Sequence, residues 1–429
     1  MTDVERSGWT RPGGPRRSLS IVMSADVQGP SLYHVGDEAI AAANVEWIRA
    51  AFPAARLTVF SEDPAFTAGE YGVESLAEPA GSPDRPLRQA VAVAAARAFD
   101  RARPAGGAAA ARRAVRAAAV FWIGGGGNLC RMYRKVLARH TFLARVALDA
   151  GVPVVMTGQQ IGPELDRRDE RMLAPVLRGA RFVGVRDRDS AAAARRLGAA
   201  PERVLLAPDD AFALAGRLPP AARIPAALRE ERAGRTIGLS LHRHRGLAMP
   251  YDEFVRRLAA ALTALRAASG ASVVFLPHMF RAGGASHDAE LVHALRRACP
   301  AAGEGEIVDG LVTAREMRAL TERCAFVVST RYHDLVFALA AGVPFAGIAQ
   351  GDAYTSSKLS AVTGWAGLPP RWRDVGADDL PEFLAAAWRG RKEARRDLEA
   401  GRARAGRAYE AGRAALAAAL APFLGPPAA

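Results

Sequence analysis

The sequence predicts an α/β protein: two Rossmann-like domains, each a doubly wound parallel sheet, facing one another across a cleft. Three observations carry this. Short β-branched apolar runs alternate with amphipathic helical segments through most of the 429 residues, the pattern of βαβ units feeding parallel sheets. Nearly every unusual loop, whether glycine-rich or carrying arginine and histidine, follows directly on such a run. In open parallel sheets, ligands bind at the carboxyl ends of the strands. A proline-rich stretch with Pro219, Pro220 and Pro225 interrupts the alternation near its middle. The expected organisation is a disordered lead-in over 1–18, a first Rossmann-like domain over 19–214, a linker over 215–234, a second Rossmann-like domain over 235–375 and a helical tail over 376–429.

In the first half, Leu19–Ser24 reads as a strand. The segment from Gly36 to Phe52 reads as a helix, with Asp37 and Glu38 in its first turn and Ile40, Val45, Ile48 and Phe52 near helical spacing. Arg56–Phe60 is a strand and Leu87–Arg103 a helix. Residues 104–117 are Ala/Arg/Gly-rich and fit either a helix or a loose insertion. Ala118–Ile123 is a buried strand running into four glycines and Asn128. A helix over Arg131–Ala150 leads to the strand Val152–Thr157 and the loop Gly158–Pro163. Arg181–Val185 and Arg203–Ala207 are the last strands of this half, with a helix between them through Leu197.

The second half opens with the strand Thr236–Leu241. A helix over Tyr251–Ala268, a strand at Val273–Leu276, a helix over Asp288–Ala298 and a short strand at Ile307–Val308 follow. The unit Cys324–Lys358 closes it. There, Ala325–Ser329 is a buried strand, Leu335–Ala341 an apolar helix stopped by Gly342, and Val343–Ile348 a second strand. Leu380–Leu424 is a long Ala/Arg/Glu helical tail that either folds back on the first half or frays.

Half the residues are apolar and about a quarter are charged, as in a globular protein with a sizeable core. No apolar run is long enough to span a bilayer, and the amino terminus lacks the apolar core of a signal peptide. Cys130, Cys299 and Cys324 are too few and too scattered for a disulfide framework or a metal spacing, so a reducing, cytoplasmic setting is expected. The net charge is +14, and lysine appears only at 135, 358 and 392. Charge alone argues for non-specific attraction to anions. Without aromatic interleaving or a nucleic-acid motif, no nucleic-acid partner is expected. Peripheral membrane association and homo-oligomerisation stay open.

The chemistry concentrates at strand ends. Arg331 and His333 lie between a strand and a helix amino terminus, where a titratable imidazole, a guanidinium and a helix dipole converge on an anion-binding position. The plainer alternative is a helix cap with surface ion pairs. Gly125, Gly126 and Asn128 follow a strand and would let backbone amides approach a ligand closely, although the run is neither the dinucleotide fingerprint nor a Walker loop. Arg186 follows another strand and is suited to bidentate binding of carboxylate or phosphate, or else pairs with Asp187. His242, Arg243, His244 and Arg245 follow the first strand of the second half, with alternate members expected to face solvent. His278 follows a further strand. None of these histidines has a metal spacing.

Taken in order, GDEAI at Gly36–Ile40, GGGGNL at Gly124–Leu129, GQQIGP at Gly158–Pro163, VRDRDS at Val185–Ser190, PDDAF at Pro208–Phe212 and the stretch from Ser329 to Lys358 resemble the polysaccharide pyruvyl transferase family. The resemblance spans about residues 19 to 365. It implies a two-domain fold similar to GT-B glycosyltransferases, with the acceptor on the amino-terminal side and the donor on the carboxyl-terminal side. The implied activity is transfer of pyruvyl from phosphoenolpyruvate to sugar hydroxyls, giving a ketal, with phosphoenolpyruvate as co-substrate and no separate cofactor. The implied partner is a carbohydrate or lipid-linked glycan acceptor. Family roles map onto His333 as general acid/base and onto Arg186 and Arg331 as donor ligands. Lys358 is a further candidate for the phosphate. Gly36, Asp37, Gly125, Gly126, Asn128, Gln159, His242, Arg243 and His278 are candidates for the acceptor side or the cleft. Two departures fall in the first half: Leu32–Val35 lacks the family's glycines before Gly36, and Cys130 and Arg131 stand where an acidic residue is usual. Two competing readings remain. One is a nucleotide-sugar glycosyltransferase of the same shape, for which Asp352 is the nearest candidate ribose ligand; the other is a non-catalytic descendant acting as a binding protein.

Overall fold

The computed structural model describes residues 19–79, 81–101, 107–230, 234–284, 286–367 and 371–428. The expected lead-in over 1–18 lies outside them. Of the undecided Ala/Arg segment, Gly107–Ala117 is a helix whose Ala109, Ala111 and Val115 are buried.

The first half supplies β1 (Ser20–Val27), β2 (Leu32–His34), β3 (Arg56–Ser61), β4 (Glu74–Ala77), β5 (Val120–Ile123), β6 (Gly126–Leu129), β7 (Val154–Ile161), β8 (Phe182–Val185) and β9 (Val204–Leu206). The second supplies β10 (Thr236–Ser240), β11 (Ser272–Phe275), β12 (Met279–Arg281), β13 (Glu306–Ile307), β14 (Phe326–Ser329), β15 (Phe345–Ala349) and β16 (Trp372–Asp374). One sheet has the order β4-β3-β1-β5-β7-β8-β9, with β6 beside β7, and the other β13-β11-β10-β14-β15-β16. Every pairing in both is parallel. The central strands are apolar throughout because helices cover both faces, so Val120–Ile123 and Phe326–Ser329 are buried at every position.

The halves are joined beside the cleft by hydrogen bonds in which the main chain takes part. β2 pairs antiparallel with β12, setting His34 opposite Met279. The Val35 N–H donates to the His278 carbonyl at 2.9 Å, and the Ala314 N–H to the Tyr33 hydroxyl at 2.9 Å.

Several elements escape the sequence reading. The helix Arg167–Gly179 starts at a capping box made by Asp166 and Asp169, and the helix Ala314–Glu322 at one made by Thr313 and Glu316. The helix Ala353–Ala366, capped by Asp352, has no strong apolar stripe, yet it carries Lys358 toward the cleft.

The tail forms two helices, Leu380–Arg389 and Arg391–Leu424. The longer one returns across the first sheet. Gly401 packs against the Ala366 carbonyl, and Gly412 against Leu205 and Ala207. Arg413, buried between Trp47 and Tyr409, donates to Asn44 at 2.8 Å and pairs with Asp210 at 3.2 Å. Asp210 also accepts from Thr157 and Asn44. Because those two neutral donors remain, Arg413→Ala is expected to cost about 1–3 kcal/mol, the cost of an unmatched buried partner. The denaturant midpoint should fall at unchanged slope.

Candidate active site

The carboxyl ends of both sheets open onto one cavity of about 690 Å³. That volume is within the range of small-molecule sites. From the second sheet come His242–Arg245 after β10, His278 and Met279 after β11, Thr330–His333 after β14, and Tyr354, Thr355 and Lys358 from the helix after β15. From the first come Asp26, Gln28, His34, Asp37, Gly127, Asn128 and Tyr133.

The turn after β14 is fixed by its own hydroxyls. The Thr330 N–H donates to the Ser240 carbonyl at 2.9 Å, and the Arg331 N–H to Ser329 Oγ at 2.8 Å. Arg331 thus caps the helix Tyr332–Ala341 in extended backbone, and His333 falls in the first turn. Across the cleft the helix Val35–Ala51 also begins at the cavity, capped by His34. Two positive helix ends therefore meet here. The His333 ring lies on Gly36, where a Cβ would fall 1.8 Å from Nδ1.

His333 is 6 % exposed. Burial pushes its imidazole well below the usual range, and Arg186, His34 and Lys358 add to the effect. Its Nε2 is buried, 3.8 Å from Asp209 Oδ2 and without a hydrogen-bond partner in the protein. Burial and the nearby Arg186 and Lys358 favour the neutral ring in the free protein.

Arg331 forms a short ion pair with Asp288, which also accepts from the His278 N–H at 2.9 Å. Its Nη1 lies 3.2 Å from His34 Nε2. On the other side of the ring, His34 Nδ1 lies 3.0 Å from Asp37 Oδ2. Burial alone would raise the Asp37 carboxyl, but His34, Lys358 and Arg186 bring it below its ordinary value. Lys358, with Nζ 4.0 Å from the centre of the Tyr354 ring, is pulled down to about 7 by burial and by Arg186.

Arg186 does not reach the cavity wall. It is fully buried, paired with Asp209 at 2.7 Å and donating to Gln160 Oε1 at 2.6 Å. Its guanidinium lies 4.1 Å from the centre of the Tyr332 ring, which itself faces the cavity. The side chain turns inward because a buried carboxylate and an amide oxygen wait there. Of the glycine run, Gly125 packs against Gly158 and Asp210, and Gly126 begins β6 at φ 152°. Neither lines the cavity; Gly127 does, against Lys358 and Tyr354. Gln159 is buried and donates to the Gly124 carbonyl at 2.6 Å, holding that turn from behind. The reason is that β7 continues through Gly158–Ile161, where the sequence suggests a loop.

His242, Arg243, His278, Asn128 and Asp37 do line the cavity. His242 and His244 turn inward, and Arg243 and Arg245 are exposed, so the alternation holds. The His242 ring, 2.8 Å from Thr330 Oγ1, is held well below its usual range by burial and then by Arg331. His34, Asp26, Tyr332 and Tyr354 had no role in the sequence reading. Only His34 left a signal, lying in the stretch Leu32–Val35 that departs from the family's glycines. Among the described residues no three His, Cys, Asp or Glu side chains converge as metal ligands, and no helix is long and apolar enough to cross a membrane.

The sequence model of the polysaccharide pyruvyl transferase family matches residues 34–352, well over half of the chain. No curated protein matches it in sequence. Similar solved structures include Anabaena HepE in complex with UDP and glucose, at 13 % identity and TM-score 0.57, covering 94 % of this chain and 99 % of that one. MnaA of S. aureus, solved with UDP, is similar at 9 % identity and TM-score 0.56, covering 88 % and 90 %. A UDP-GlcNAc 2-epimerase of Neisseria meningitidis bound to UDP-GlcNAc follows at 7 % and 0.52, covering 88 % and 94 %. At these identities the likeness establishes a GT-B-like fold and nothing finer.

Proposed function

The chain belongs to the polysaccharide pyruvyl transferase family, and we propose that it moves the pyruvyl group of phosphoenolpyruvate onto two hydroxyls of a sugar, forming a ketal and releasing phosphate. The observation that carries this is a buried His333 set between two helix amino termini, beside Arg331 and Lys358. A bound trianion acts on both groups: opposite charge favours the charged forms, so donor binding raises the basicity of both His333 and Lys358. His333 is then an acid made by its own substrate. Protonating the donor's methylene carbon leaves an oxocarbenium-like centre at C2, and Arg331, Lys358 and the helix ends hold the carboxylate and the departing phosphate. Arg186 acts behind Tyr332 as a positioning residue.

A pH consequence follows. The acid is required protonated, so rate falls as pH rises through its pKa. That pKa is depressed in the free enzyme and raised in the complex. The alkaline limb of kcat should therefore lie at higher pH than that of kcat/KM. Coincident limbs would refute donor-induced protonation.

The competing reading, nucleotide-sugar transfer, draws on neighbours solved with UDP. Here the Asp352 carboxylate is spent on the Thr355 N–H at 2.7 Å and on His244 at 3.4 Å, which leaves it a poor ribose ligand. Thermal unfolding in phosphoenolpyruvate or UDP separates the readings, because only a ligand of the folded state raises the midpoint with concentration. Protection by phosphoenolpyruvate, and phosphate release when sugars are added, are expected. Protection by UDP alone would overturn the proposal.

A further inference from the structure

The cavity is electrically divided. Among the described residues that line it, every arginine and lysine (Arg243, Arg245, Arg331 and Lys358) stands on the second-sheet wall. Both carboxylates, Asp26 and Asp37, stand on the first. Asp37 is engaged by His34. Asp26 is different. β1 shifts register against β3 between Ser24 and Val27, so Asp26 lies in an irregular stretch of the strand, and its side chain lines the cavity. The carboxylate so presented is locked from behind. Oδ1 accepts from Arg139 at 3.0 Å and Oδ2 from Asn128 Nδ2 at 2.9 Å, while Arg139 is itself held by Glu78 at 2.5 Å. A carboxylate has about four lone-pair positions, so two remain for a ligand. Beside it, Gln28 lines the cavity with a buried Oε1 that has no donor in the protein.

Taking the pyruvyl-transfer reading as its basis, we propose that Asp26, Asn128 and Gln28 form the acceptor subsite, that this subsite takes a neutral sugar diol, and that Asp26 removes the proton of the attacking hydroxyl. A wall rich in acceptors, whose charged lining groups are both carboxylates, suits hydroxyl donors better than a uronate or phosphate group at that point. It also faces the cationic wall, so donor and acceptor meet across the cavity.

The protons balance. As the first hydroxyl oxygen bonds to C2, its proton passes to Asp26, and the C2–C3 π pair takes a proton from His333 to become a methyl group. The C2–O bond to phosphate then breaks. The second hydroxyl closes the ketal and returns its proton to His333, and the proton on Asp26 leaves with phosphate. Burial, and after it the neighbouring Asp37, raises the Asp26 carboxyl above its ordinary value, toward what a base needs.

The test uses the full chain, Asp26→Asn and wild type, with methyl glycosides of neutral hexoses and a methyl glucuronide. Glycoside binding is followed by saturation-transfer NMR, phosphate release by turnover, and donor binding by thermal protection with phosphoenolpyruvate. Wild type should bind and use a neutral glycoside in preference to the glucuronide. Asp26→Asn should keep donor protection and lose about 100-fold or more in kcat/KM for the glycoside. Three outcomes overturn the subsite: no neutral glycoside binds, the glucuronide is preferred, or Asp26→Asn retains glycoside turnover. Absence of donor protection in wild type would sink the pyruvyl reading instead, and the glycoside-binding arm would still decide the subsite.

Discussion

Gly36→Ala is expected to remove turnover by about 10²–10⁴-fold, the usual worth of a positioned acid or base, while leaving the protein folded. Gly36 sits in the first turn of the helix Val35–Ala51 and has none of the positive φ that favours glycine elsewhere in the chain. On propensity alone alanine would stabilise this helix by about 1 kcal/mol. Tertiary contact reverses the sign. The added Cβ would lie 1.8 Å from Nδ1, 2.4 Å from Cγ and 2.5 Å from Cε1 of His333, inside the ring's own volume. The imidazole must leave its place between the helix ends. Two controls make this decisive. In a His333→Ala background the clash is gone, so Gly36→Ala should be neutral or stabilising, and the two substitutions should be strongly non-additive in activity. Phosphoenolpyruvate should still raise the unfolding midpoint of Gly36→Ala, because Arg331 and Lys358 remain. Wild-type kcat in Gly36→Ala would rule out His333 as the acid.

The Gly36–His333 contact also marks the limit of what the sequence discloses. Buried parallel strands are contiguous apolar runs, so Val120–Ile123 and Phe326–Ser329 announce themselves, and with them the two sheets. Strand ends follow, and so Arg331 and His333 are legible as site candidates. What periodicity cannot hold is a partnership between distant positions. A glycine run says that something comes close, not which glycine it approaches. Here Gly127 faces Lys358 while Gly125 packs inward. An arginine after a strand reads as facing the cleft until a buried carboxylate, supplied by a later strand end, draws it back, as Asp209 does with Arg186. Asp26 lies beyond the strand Leu19–Ser24 that the sequence suggests, because the irregular pairing with β3 that carries β1 on to Val27 is set by the partner strand and not by local composition.

Arg186→Met should destabilise the protein by about 3–5 kcal/mol, the cost of stripping one partner from a buried ion pair. Asp209 and Arg186 are both fully enclosed, and methionine offers Asp209 neither charge nor donor. Lysine does not substitute well, since a single ammonium cannot serve Asp209 and Gln160 together while lying flat on Tyr332. The pH dependence has a definite sign. Burial already raises the Asp209 carboxyl, against the opposing pull of Arg186, and losing that cation raises it further. A carboxyl whose folded pKa exceeds its unfolded value binds protons more readily in the folded state, so the folded form gains relative stability as pH falls. The deficit of Arg186→Met against wild type should shrink on going from neutral to mildly acidic conditions. Adding Asp209→Asn should recover much of it at pH 7. Arg186 is also the first charge that keeps His333 neutral. The variant, assayed where it is folded, should therefore show the alkaline limb of kcat/KM displaced upward. A limb that stays in place would confine Arg186 to holding the fold, whereas a limb that moves ties the stability of this buried pair to the protonation of the histidine in front of it.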